Sequence, residues 1–177
     1  MREKDSFWRK LKCYKYLLLS HHPDCNKFVK NHTINIGKYK FCIGCFIGYP
    51  TAIIGILLIH YLNLLELFDS FFFLMLAMIL ISSIILSPLG LTKIKLIKII
   101  QKFLIGLGSA FLFWYIWSSP NSFIINSIYF SLIFGTLLIL LNIYHGYGLH
   151  NTCKKCEYSM DWSNCPGFKQ INDCLKN

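Results

Sequence analysis

What most constrains this chain is where its charges are missing. Three uncharged intervals dominate it: 25 residues from Phe41 to Leu65, 23 from Ser70 to Thr92, and 51 from Phe103 to Cys153. The last is interrupted near its middle by Ser118-Ser119-Pro120-Asn121-Ser122. A segment crossing a bilayer needs about 20 apolar residues and must satisfy its own backbone, which a helix does. The intervals therefore predict an all-α, polytopic membrane protein. Its four transmembrane helices fall at about residues 42–62, 68–87, 97–117 and 123–143.

The charges that remain orient those helices. Of 18 Lys and Arg, ten precede Phe41, four surround the middle connection (Lys93, Lys95, Lys98, Lys102) and four follow the last helix (Lys154, Lys155, Lys169, Lys176). The other two connections hold no basic residue; the first carries Glu66 and Asp69. Basic residues beside membrane helices stay on the cytoplasmic side. Four crossings then put both termini and the middle loop on that side, in the cell (plasma) membrane. The net charge of +10 has the same origin, reinforced by anionic lipid headgroups. Nucleic acid, the usual partner of so basic a soluble chain, is not the expected one here.

Three segments follow. Residues 1–40 form a basic cytosolic or interfacial segment with a His/Cys cluster, residues 41–149 the four-helix transmembrane domain, and residues 150–177 a cysteine-rich cytosolic segment. The two ends together make a small cysteine-rich cap. Phe7, Leu11, Tyr14 and Leu18 recur at helical spacing, as in a helix lying in the inner interface. Tyr16–Leu19 is too short for the apolar core of a signal peptide.

All eight cysteines lie on the predicted cytoplasmic face or at its boundary. The cytosol is reducing, so the expectation is metal ligation and no structural disulfide. Cys42-x-x-Cys45 opens the first helix and Cys153-x-x-Cys156 follows the last. Two such pairs are the ligand set of a zinc ribbon, two thiolates from each completing a tetrahedral ion. One Zn2+ would clamp the first and last helices together, with roughly 10 kcal/mol or more of binding free energy available. Cys25, Cys165, His21 and His22 are candidates for a second site, with His32, His150 or Cys174 available to complete it. Two alternatives stay open. Cys153, Cys156 and Cys165-Pro166 could hold an iron–sulfur cluster, although the spacing departs from the usual ferredoxin run. Cys42/Cys45, at a helix start, could be a redox-active thiol pair.

Within the helices, Gly44, Gly48, Ala52 and Gly55 share one face of the first, and Gly106 and Ala110 form a second small-xxx-small pair. Such faces allow close helix approach in lipid, and they are the expected packing surfaces toward a second copy or a larger membrane complex. Pro50 is expected to kink the first helix. His60 is expected to be an ordinary interfacial residue. Trp114, Tyr115 and Trp117 fit an outer aromatic belt. Asn142 and His145 are the polar residues in the inner half of the last helix, where a transport pathway would need them. No Asp, Glu or Arg lies inside a predicted helix, which argues against a pump built on buried carboxylates.

One stretch resembles a family of small prokaryotic membrane proteins of unknown function. The matching residues are His21 or His22, Pro23, Phe28, Gly37, Cys42, Cys45, Gly48 and Tyr49: a His/Pro segment, then Cys-x-x-Cys followed by Gly-Tyr as the first membrane helix begins. The likeness covers about residues 21–55. It implies a membrane location and a role for the cysteines, and no reaction. The first expectation is a non-enzymatic membrane scaffold or accessory subunit with a metal-bound cap. A membrane redox or electron-transfer protein comes second, and a small transporter or channel third.

Overall fold

A computed structural model of the 177-residue chain describes residues 13, 32–37, 39–158, 161, 164–169, 173 and 174. Most of it is helical. Internal contacts divide the chain into two units, Ile43–Tyr144 on the one hand and Met1–Cys42 with His145–Asn177 on the other. The expected boundaries were at 40/41 and 149/150.

The unit Ile43–Tyr144 contains α1 (Tyr49–Tyr61), α2 (Ser70–Ile81), α3 (Lys95–Trp117) and the first two thirds of α4 (Phe123–Lys154). A π-helical turn, Gly44–Gly48, leads into α1. Pro50, where a kink was expected, sits in the first turn of α1 directly after this wider turn. α1 ends at Leu62, and Asn63 turns the chain with φ 51°, a left-handed conformation that Asn tolerates better than most residues. Asp69 caps α2, its Oδ1 accepting from the Phe72 N–H at 2.9 Å. Beyond Ile81 the chain continues as a 3₁₀ helix, Ser82–Leu86, where the Ser82 hydroxyl donates to the Ile79 carbonyl at 2.7 Å.

Three helices among the described residues are long and apolar enough to cross a membrane: Gly44–Tyr61 (18 residues), Lys95–Trp117 (23) and Phe123–Lys154 (32). Ser70–Leu86 is apolar but shorter. The last helix was expected to end near residue 143; it continues through Gly146 and Gly148 to Lys154, because nothing in that stretch enforces a stop.

α3 is the helix against which both α1 and α2 pack. Phe73, Ile59 and Ala110 make one buried cluster, and Ala77, Leu112 and Ile116 another. Phe130, Phe134 and Leu137 of α4 rest on the second. In lipid the apolar surroundings match the side chains, so contact density rather than water exclusion holds helices together. Backbone approach is close for that reason. A Cβ on Gly106 would strike the Gly48 carbonyl, and one on Gly55 would come within 2.8 Å of the Ala110 Cβ. The small residues of α1 and α3 are thus turned on each other inside the chain, not outward toward a partner as expected. What faces outward is large and apolar: Ile53, Ile54, Leu57 and Leu58 on α1, Met75, Met78 and Ile79 on α2, Ile128, Leu132 and Ile139 on α4. So much contiguous apolar surface is foreign to a water-soluble monomer.

The other unit departs from the all-α expectation. Thr33–Ile36 (β1) and Tyr39–Cys42 (β2) pair antiparallel, with Thr33 opposite Cys42 and Ile36 opposite Tyr39. Gly37, at φ 59°, supplies the tight turn. Cys13 and Cys174 are joined by a disulfide, 161 residues apart in sequence with Cα atoms 5.6 Å apart, inside the range such a bridge requires. The pairing runs against the expectation of no structural disulfide and, where the bridge is formed, takes Cys174 from the candidate ligands. Pro166–Phe168 forms a 3₁₀ turn directly after Cys165.

Candidate metal centre and buried polar contacts

The cysteines of the two expected pairs come from unlike local structures. Cys42 closes β2 and is 8% exposed. Cys45 lies in the π-helical turn Gly44–Gly48. Cys153 sits in the last turn of α4, and the Cys156 N–H donates to its carbonyl at 3.1 Å, so this second pair forms its own turn. Cys42, Cys45, Cys153, Cys156 and Cys165 are all outside any disulfide. Among the described residues, no three His, Cys, Asp or Glu side chains gather in an arrangement that could hold a metal ion. His21, His22 and Cys25 lie outside the described residues. Two histidines do meet: the rings of His32 and His145 have centroids 6.4 Å apart and planes inclined at 68°. The third-ranked reading, a transporter, would use His145 in its pathway, and His32 was one of several residues that could complete a second cysteine site.

The membrane unit has a polar centre that sequence reasoning missed. Gln101 of α3 is 1% exposed. Its Nε2 donates to the carbonyls of Ser83 (2.9 Å) and Ile84 (3.3 Å) and to the Ser87 hydroxyl (2.9 Å). The Ser87 hydroxyl also lies 3.2 Å from Gln101 Oε1, to which it can donate. Gln101 thus adds a side-chain donor to two carbonyls of the 3₁₀ turn, one of which, that of Ile84, also accepts from the Ser87 N–H at 3.0 Å. The Ser83 hydroxyl beside them is buried without a partner. The signal was present: one amide in the apolar run after Lys98, and three serines before Pro88.

Two further contacts hold the unit. Trp114 Nε1 donates to the Ile56 carbonyl at 3.0 Å, tying α3 to α1. The His60 ring stacks on Trp114, centroids 5.6 Å apart and planes within 12°. Trp114, assigned by sequence to the interfacial belt, is therefore also a strut between helices, and His60 lies along it. Where α3 turns into α4, Asn126 is 3% exposed and donates to the Ser119 carbonyl at 3.3 Å. Asn142 is exposed and donates at 2.8 Å to the Leu138 carbonyl of its own helix, an ordinary way for a polar side chain to be satisfied in lipid.

A scan against protein-family models finds no match, and searches of curated proteins and of solved structures find none either. Function therefore has to be argued from the chain's own residues.

Proposed function

We propose that this chain is a four-span plasma-membrane protein that acts as a scaffold or accessory subunit, with both termini in the cytoplasm and zinc held by its cysteines. The observation that carries the membrane reading is the apolar surface turned outward around α3. The fourth span is supplied by Ser70–Leu86. Twelve α-helical residues rise about 1.5 Å each and five 3₁₀ residues about 2.0 Å each, giving about 28 Å against a hydrocarbon core of about 30 Å. The 3₁₀ winding thus lengthens a short helix toward the thickness it has to cross. With four spans, every cluster of Lys and Arg falls on one side.

The donor set supports zinc. Four thiols in two Cys-x-x-Cys pairs suit a borderline-soft ion without redox chemistry, and a fifth, Cys165, stands nearby in sequence. An iron–sulfur cluster or a thiol redox pair is the competing use of the same sulfurs. Metal analysis of detergent-purified protein separates them. One or two zinc per chain without visible colour supports the reading, and Cys42→Ser and Cys153→Ser should each lower the zinc content. Iron with acid-labile sulfide would replace it with electron transfer. No metal at all would leave thiol chemistry as the use of these cysteines.

A further inference from the structure

From the approach of His32 to His145 within one unit, we infer that these two residues form a two-histidine site for a divalent transition-metal ion, separate from the cysteines. The ring centroids are 6.4 Å apart. With metal–nitrogen bonds of about 2.0–2.1 Å, two imidazoles on one tetrahedral ion have ring centres about 5 Å apart. The rings thus stand about 1 Å farther apart than in that bound geometry. The 68° inclination of the rings suits two ligands reaching one ion from different directions.

Position supports this use. His32 immediately precedes β1, and His145 lies on α4, so the ion would tie the hairpin to the helix. Both residues belong to the unit formed by Met1–Cys42 and His145–Asn177. His150, also on α4, is five residues from His145. At 3.6 residues per turn this is about 140° around the axis, so His150 cannot share that ion. Imidazole nitrogen prefers Zn2+, Ni2+ or Cu2+ over Ca2+ or Mg2+. Two protein ligands leave the other positions to water, so the site exchanges its ion more readily than a closed four-thiolate site.

The test is calorimetric titration of Ni2+ into the full chain in detergent. Wild type should bind one ion that is weakened at least tenfold by His32→Ala and by His145→Ala. The double substitution should be no weaker than either single one, because both ligands serve one ion. His150→Ala should leave that binding unchanged. Equal affinity in wild type and both histidine variants, or no Ni2+ binding by wild type, overturns the site. Should the alanine variants lose their helical circular dichroism, His32→Gln and His145→Gln serve instead. The zinc reading fails on the cysteine variants and this one on the histidine variants, so the two failures are distinguishable.

Discussion

Gln101 Nε2 lies 2.9 Å from the carbonyl oxygen of Ser83, and this bond joins the centre of the unit Ile43–Tyr144 to the point where the helix after Ser70 changes from α to 3₁₀ winding. A side chain from the neighbouring helix gives carbonyls of the 3₁₀ segment a second donor and pairs with the Ser87 hydroxyl. Gln101→Leu keeps the volume and removes the amide. It should destabilise the protein by about 1–3 kcal/mol, the cost of leaving buried polar groups unpaired. Unfolding of detergent-solubilised variants measures this; a loss within error would mean the carbonyls find other partners.

Glycines in this protein divide by what surrounds them. Gly106→Ala drives a methyl group into the Gly48 carbonyl, a backbone atom that cannot swing aside, and should cost about 1–3 kcal/mol. Gly146→Ala meets open space on α4 and should be neutral or stabilising by up to ~1 kcal/mol through helix propensity. Melting temperatures of the two variants should move in opposite directions or differ clearly in size.

Trp114→Phe retains a ring for His60 to stack on and loses the bond to the Ile56 carbonyl. The expected loss is about 0.5–1.5 kcal/mol. His60→Ala removes the stack and keeps the bond. If the two effects are independent, the double variant should sum them; a double-mutant cycle in detergent reads the difference.

The Cys13–Cys174 bridge reports on compartment. If both termini face the cytoplasm, rapid alkylation of intact cells should trap both as thiols, because reducing pools keep cytosolic cysteines reduced. Protein purified without reductant should then show the bridge by mass spectrometry. Finding the bridge already complete in cells would place the termini on an oxidising side and reverse the orientation. A reporter fused after Asn177 gives an independent reading, and the two should agree.

How much was legible beforehand depended on the kind of signal. Apolar runs marked out α1, α3 and α4, because a bilayer demands length and composition that nothing else in a sequence imitates. The hairpin Thr33–Cys42 was missed. Its strands are four residues each and interleave Asn35 and Lys40 with the apolar positions, so the stretch reads as polar and basic. Its turn signal, Gly37, was noticed, but its strands were not. Gln101 was overlooked for a related reason, since its importance depends on where α2 stops being α-helical.

The sequence by itself determined that the chain carries helices long and apolar enough to cross a membrane and where its basic residues cluster, because hydropathy and charge are summed along the chain and need no partner. Only the tertiary structure decided that Gly48 meets Gly106, that Gln101 meets Ser83, that Cys13 meets Cys174 and that His32 meets His145. Each pair is distant in sequence, and each contact depends on rotations and offsets of whole elements of a few ångströms. Residue spacing carries no record of those offsets; packing sets them.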